Sequence, residues 1–325
     1  MDELSRNLIN RYQGDLPIVE RPFLDMAVEL NSTESSIIST INKLLNDKIL
    51  SRFGPLYNAA CLGGGLTLAA LSVPEKDYAT VSIQVNSLPE VAHNYRREHE
   101  LNMWFVIATE TPDEIENTIK AIEGLTGLKV YNFPKLREYY LGLWLSLDKL
   151  NRVSTRSFDV VKHTGETDID ALDRKIIQQT QTGLPLIPEP FAEVAKQCQS
   201  DVQTVLQRIS AMLECGIIRR IGAVPNHYRL GLRSNGMSVW NVRDERLHEL
   251  GEKVGQLDFV SHCYQRPRHL PLWPYNLFAM VHGYNQDEVD QKIQKIAALL
   301  DDDCSQHDVL FSSAILKKTG LRLVA

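Results

Sequence analysis

The stretch SHCYQRPRHLPLWPYNLF, residues 261–278, gathers two histidines, two arginines, two tyrosines and a tryptophan between two apolar runs. Arg266 and Arg268 can grip carboxylates, because a guanidinium forks onto both oxygens. Trp273, Tyr264 and Tyr275 offer flat faces, while Pro267, Pro271 and Pro274 limit the entropy lost when the loop is ordered. Histidine is the side chain best suited to deliver a proton near neutral pH. His262 is one candidate proton donor and His227 another, with Tyr228 and Tyr264 as helpers. These residue types suit the binding of an anionic ligand with some apolar surface, and proton transfer to it.

The elements that must hold these residues are written twice. Shifted by 168 positions, Asp2–Asn58 lies over Asp170–Asn226 without a gap, and 17 of the 57 positions are identical. Leu16-Pro17 matches Leu184-Pro185, Pro22-Phe23 matches Pro190-Phe191, and Gly54 matches Gly222. Further on, HNYRR at His93 lies over HCYQR at His262, which makes His93 and Arg97 candidates for substrate contact as well. Each half opens with three amphipathic helices and a short strand, the pattern of a winged helix-turn-helix. Pro22 and Pro190 suit first helical turns, and Ser32 and Ser200 are expected as N-caps. Strand and helix patterns then alternate as βαββαβ, the ferredoxin-like arrangement. The fold class is therefore α+β, in two tandem repeats. The expected divisions are a winged helix-turn-helix over 1–58, an αβ domain over 59–150, a linker over 151–168, a second winged helix-turn-helix over 169–226 and a second αβ domain over 227–325.

Bulk properties narrow the classes. A chain of 325 residues with net charge −6 has no basic excess to offer nucleic acid. Five unpatterned cysteines fit reduced thiols better than a disulfide framework. No signal-peptide core and no run of about 18 apolar residues is present, so a cytoplasmic protein without a membrane partner is expected. CLGGGL at 61–66 lacks the lysine and hydroxyl of a phosphate loop.

The helix pattern of DALDRKII and VLQRISAMLECGIIRRIGAV resembles the Lrp/AsnC regulators. The stretches GIIRRIGAVPNHYRLGLRSNGMSVWNV and SHCYQRP with WPYNLFAMVHG are similar to the siroheme decarboxylases, in which that scaffold has become an enzyme. This resemblance covers nearly the whole chain, and two joined halves look like the fused NirDL form. It implies loss of two acetate carboxyls from siroheme as CO2, giving 12,18-didecarboxysiroheme for heme d1 or an alternative heme route. It implies no cofactor beyond the iron that siroheme carries and no metal site of the protein's own. The implied partners are siroheme and other proteins of heme d1 formation, with either a homo-oligomer or a self-contained pseudo-dimer. Arginines should hold the carboxylates that stay, because pairing the scissile one tightly would stabilise the ground state.

Two further readings stay open from the residues alone: a ligand-sensing Lrp-type regulator, and a tetrapyrrole carrier without catalysis. DNA binding is not expected, since the candidate recognition helices, the third of each half, carry few cations. His227 and Tyr228 stand where the first half has Ala59 and Ala60, which favours a polar task in the second half. His269 and His282 read as solvated or core histidines, and His163 as a neutral linker residue.

Overall fold

Two helices begin on proline, where a missing N–H costs nothing because first-turn donors have no helical partner. In the computed structural model, which describes residues 1–156 and 169–318, these are the second helices of the two halves. The first half runs α1 (Glu3–Arg11), α2 (Pro22–Glu29), α3 (Glu34–Asn46), β1 (Leu50–Tyr57), β2 (Gly65–Leu71), α4 (Tyr78–Ser87), β3 (Val91–Arg97), β4 (Met103–Thr109) and α5 (Glu114–Thr126). It ends in β5 (Tyr131–Pro134), β6 (Arg137–Leu141), β7 (Trp144–Leu147) and β8 (Val153–Arg156). The second half runs α6 (Ala171–Thr180), α7 (Pro190–Cys198), α8 (Val202–Glu214), β9 (Ile218–Pro225) and β10 (Ser234–Val242). It continues through α9 (Leu247–Gly255), β11 (Val260–Gln265), β12 (Leu277–Gly283), α10 (Gln286–Leu300) and β13 (Cys304–Lys318). The caps of α3 and α8 fall one residue beyond the expected serines. Thr33 accepts from Ser36 N–H and Asp201 from Thr204 N–H, each from an extended backbone.

The chain packs as two compact units. Of the described residues, one unit holds 1–62 with 144–156 and 169–231, and the other holds 63–143 with 232–318. The divisions differ from the expected ones because β7 and β8 pair as a hairpin on the helical unit. Gln13 ties it there, donating to Leu145 O at 2.7 Å and accepting from Leu145 N–H at 3.0 Å. Residues 153–156, expected in the linker, are thus a strand. His163 lies outside the described residues.

In the helical unit the expected wings pair with each other. β1 and β9 run antiparallel, with Gly54 opposite Gly222. Both glycines hold positive φ, +152° and +155°, and a Cβ on Gly222 would sit 2.1 Å from Tyr12 O. Matched residues exchange matched contacts. Arg220 donates to Gln13 O at 2.5 Å, and Arg52, its counterpart, donates to Gln181 O. Burial pushes the Arg52 guanidinium down.

In the other unit one sheet has the order β5-β2-β4-β3-β13-β10-β12-β11-β6. Each half supplies its strands in the ferredoxin-like order, fourth-first-third-second. Each half's last segment then crosses over. The first part of β13 pairs with β10 and its second part with β3. Likewise β5 pairs with β2, while β6 pairs with β11. Only Lys135 and Leu136 separate β5 from β6, so the two ends of the sheet are one segment and the sheet closes on itself. Helices α4 and α5 cover one stretch of its outer face and α9 and α10 another, around Phe105 and Trp240 respectively. Residues of both halves fill the interior, among them Trp104, Phe133, Val239, Trp273, Phe278 and Leu310.

Candidate active site

Strand alternation decides which side chains of the sequence motif face inward. Leu277, Ala279 and Val281 of β12 pack outward under the helices, which turns Phe278, Met280 and His282 inward. His262 stands opposite Met280 and Tyr264 opposite Phe278. Both candidates on β11 therefore face the barrel interior, and both are half-buried.

A register irregularity between Val260 and His262 places Ser261 between two imidazoles. Ser261 Oγ lies 2.7 Å from His262 Nδ1 and 2.6 Å from His282 Nε2. His282, 4% exposed, bonds through Nδ1 to Asn235 Oδ1, its cross-strand neighbour on β10. Four side chains are thus linked in series: His262, Ser261, His282 and Asn235. Sequence reasoning passed over Ser261 and Asn235 and read His282 as solvated or core. His282 is a core histidine, hydrogen-bonded at both ring nitrogens. A comparison of the two halves could have found them. In the matching register the first half has Ala92 for Ser261, Ala108 for His282 and Leu66 for Asn235.

Arg97 and Arg266 occupy equivalent places with equivalent contacts. Arg97 donates through Nη1 to Leu310 O at 2.5 Å, and Arg266 through Nη1 to Phe133 O. Each clamps the crossed-over segment of the other half, and neither is a surface ion pair. The Arg266 guanidinium also lies 5.1 Å from the Tyr264 ring centre, and burial holds its pKa down to about 10, still protonated at neutral pH. Its Nε–H is buried without a partner among the described residues. Lys135 lies 5.8 Å from the same ring and is paired with Glu138 at 2.7 Å.

Three expectations for the proline-rich loop change. Arg268 is a staple within the loop: it donates to Pro274 O at 2.8 Å, Asp244 Oδ1 at 2.7 Å, Val242 O at 2.7 Å and Asn241 Oδ1 at 3.0 Å. Those bonds leave it little capacity to grip a ligand carboxylate. Trp273 is fully buried, 5.0 Å from Trp104 and 5.4 Å from Phe133 between ring centres, so it plugs the interior of the barrel. Tyr275 is buried beside it, with its hydroxyl accepting from Gln306 at 3.1 Å, and burial raises its pKa. Neither ring offers an open face.

His227 and Tyr228 belong to the helical unit. They sit in the turn after β9, half-buried, with ring centres 4.3 Å apart. Asn226 organises that turn by accepting from Leu230 N–H at 3.0 Å. The catalytic candidates thus form two separate pairs, one in each unit. His93 is half-buried on β3, its ring centre 6.3 Å from that of Tyr95. Among the described residues no cluster of three His, Cys, Asp or Glu could hold a metal ion, and no helix is long and apolar enough to cross a membrane.

Comparison with known proteins gives this geometry a family. The AsnC-like ligand binding domain matches residues 63–140 and 229–317, and the siroheme decarboxylase NirDL-like HTH domain matches 5–50 and 173–219. A siroheme decarboxylase of Hydrogenobacter thermophilus is 33% identical over 312 residues, which cover 95% of this chain and 92% of that protein. The chain belongs to the siroheme decarboxylase family. A family member of half the length, the NirH subunit of the Pseudomonas aeruginosa siroheme decarboxylase, is 55% identical over 152 residues, 47% of this chain and 89% of that subunit. The crystal structure of the siroheme decarboxylase NirDL in complex with an iron-uroporphyrin III analogue superposes with a TM-score of 0.72 at 29% identity, covering 98% of this chain and 93% of the other. Both repeats of the family's scaffold are therefore present here, in one chain.

Proposed function

We propose that this chain is a carboxy-lyase that removes two acetate carboxyls of siroheme as CO2, giving 12,18-didecarboxysiroheme. The full-length match to siroheme decarboxylases, including one solved with an iron-uroporphyrin analogue, carries the reading. The residues add a route for protons. A proton delivered to a pyrrole carbon makes the ring an electron sink; the acetate C–C bond then breaks and CO2 leaves an exocyclic methylene. Protonation of that methylene and loss of the ring-carbon proton give a methyl group. Each carboxyl lost thus consumes one proton overall, and a general acid suffices to supply it. His262, on the inner face of the barrel, is the proposed donor, with Tyr264 beside it. Arg266 brings positive charge to the same place, suited to the carboxylates that remain. His227 and Tyr228 are proposed as further catalytic candidates.

The iron belongs to the substrate, and no other cofactor is proposed. Similarity to a protein described as a subunit supports a multi-subunit setting, in which this chain works beside another siroheme decarboxylase chain. The regulator reading is weakened by the charges. Arg208 on α8 pairs with Asp170 at 2.8 Å, and Lys43 on α3 lies 3.9 Å from Asp2. Anaerobic incubation with siroheme, followed by mass spectrometry, tests the proposal: species lighter by one and then two CO2 are expected without added nucleotide. Binding without loss of mass would leave a carrier.

A further inference from the structure

We propose that Ser261, His282 and Asn235 are positioning residues that fix the tautomer of His262, so that Nε2 is the nitrogen that exchanges protons with the substrate. The inference rests on the functional reading above and deepens it.

Hydrogen accounting along the linked side chains gives the direction. Asn235 Nδ2 donates to Arg233 O at 3.5 Å, which orients the amide with Oδ1 toward His282. An amide oxygen only accepts, so His282 Nδ1 carries the hydrogen. Nε2 of the neutral ring is then an acceptor, and its neighbour at 2.6 Å, the Ser261 hydroxyl, must donate to it. With its hydrogen spent, Ser261 Oγ accepts from His262 Nδ1–H at 2.7 Å. With His282 neutral, every hydrogen is assigned from one end, and His262 Nε2 is the position that gains and gives up a proton. The logic is that of a third group orienting a catalytic imidazole.

The first half supports this independently. His93 lies on the matching strand with the matching irregularity of register, between Val91 and His93. At the positions matching Ser261, His282 and Asn235 that half carries Ala92, Ala108 and Leu66. The series Ser261–His282–Asn235 thus belongs to the second half, where it also buries His282 at 4% exposure, a cost an apolar residue would avoid.

The test uses the full chain. His282→Leu and Ser261→Ala should each lower the single-turnover rate at saturating siroheme by roughly 10–100-fold, part of the 10²–10⁴ that a general acid contributes, with siroheme affinity unchanged. His282→Gln should recover most of the rate, because its amide oxygen can accept from Ser261. In the substrate-free protein, ¹⁵N shifts of the neutral His262 ring should report hydrogen on Nδ1. In His282→Leu and Ser261→Ala it should move toward Nε2, and in His282→Gln it should stay. The proposal is overturned if His262 keeps one tautomer in all variants, or if the rates of His282→Leu and Ser261→Ala match the wild type. Absence of turnover in the wild type would sink the functional reading instead, and the ¹⁵N measurement needs no turnover.

Discussion

The two halves of the chain share a backbone plan and differ in what they do with it. Where matched residues make matched contacts, the contact maintains the scaffold. Arg52 and Arg220 each bind the carbonyl of a glutamine in the other half. Arg97 and Arg266 each bind a carbonyl of the crossed-over segment. Where the halves diverge, chemistry is the better explanation. His262 is linked in series to a hydroxyl, an imidazole and an amide, while the matching positions of the first half hold Ala92, Ala108 and Leu66. Equivalence within one chain thus separates contacts shared by the scaffold from a working histidine.

The sharpest way to break this comparison is a matched pair of histidine variants. His262→Ala should slow single-turnover decarboxylation by about 10²–10⁴-fold, and His93→Ala far less. If His93→Ala is the dead variant and His262→Ala keeps its rate, the working half has been assigned wrongly. Next in size is Trp273, whose loop has no counterpart in the first half, where this connection is five residues shorter. Trp273→Ala should destabilise the protein by about 3–5 kcal/mol in chemical denaturation, by emptying the middle of the barrel. The glycine pair should show a smaller, graded effect. Gly222→Ala meets Tyr12 O at 2.1 Å, whereas Gly54→Ala meets Leu184 N at 2.9 Å. Both should lower the melting temperature, with backbone strain of about 1–3 kcal/mol, and Gly222→Ala should lower it further. The smallest effect concerns DNA. Lys43→Gln removes an exposed cation 3.9 Å from Asp2 and should change stability by less than about 1 kcal/mol. Retention of a defined DNA duplex by the wild type, lost in Lys43→Gln, would restore the regulator reading.

Much of the fold was legible because it is local. Helical spacing, proline at first turns and the 168-residue shift locate the helices and the repeat. The caps came out one residue early, since Ser32–Thr33 and Ser200–Asp201 both offer adjacent side-chain oxygens and only backbone geometry selects between them. The site was legible in part. The motif drew attention to His262 and Tyr264, and the structure turns both inward. It also drew attention to Arg268 and Trp273, whose types suit a ligand but whose contacts are internal. What composition hides is direction: an arginine that braces its own loop reads like one that waits for a carboxylate. His282 and Asn235 were hidden by distance along the chain, 47 residues apart and joined only by the register of β10 against β12.

The crossed-over segments bear on how the protein behaves on dilution. A half-chain standing alone would leave the outer strand of its sheet with a row of unsatisfied backbone groups, and would have to recruit its counterpart from solution. Here the counterpart is tethered, so pairing is a first-order event with a high, fixed effective concentration. Its integrity should not depend on how much protein the cell makes. Nicking the chain between residues 157 and 168 should leave the halves held together by the strands they have exchanged.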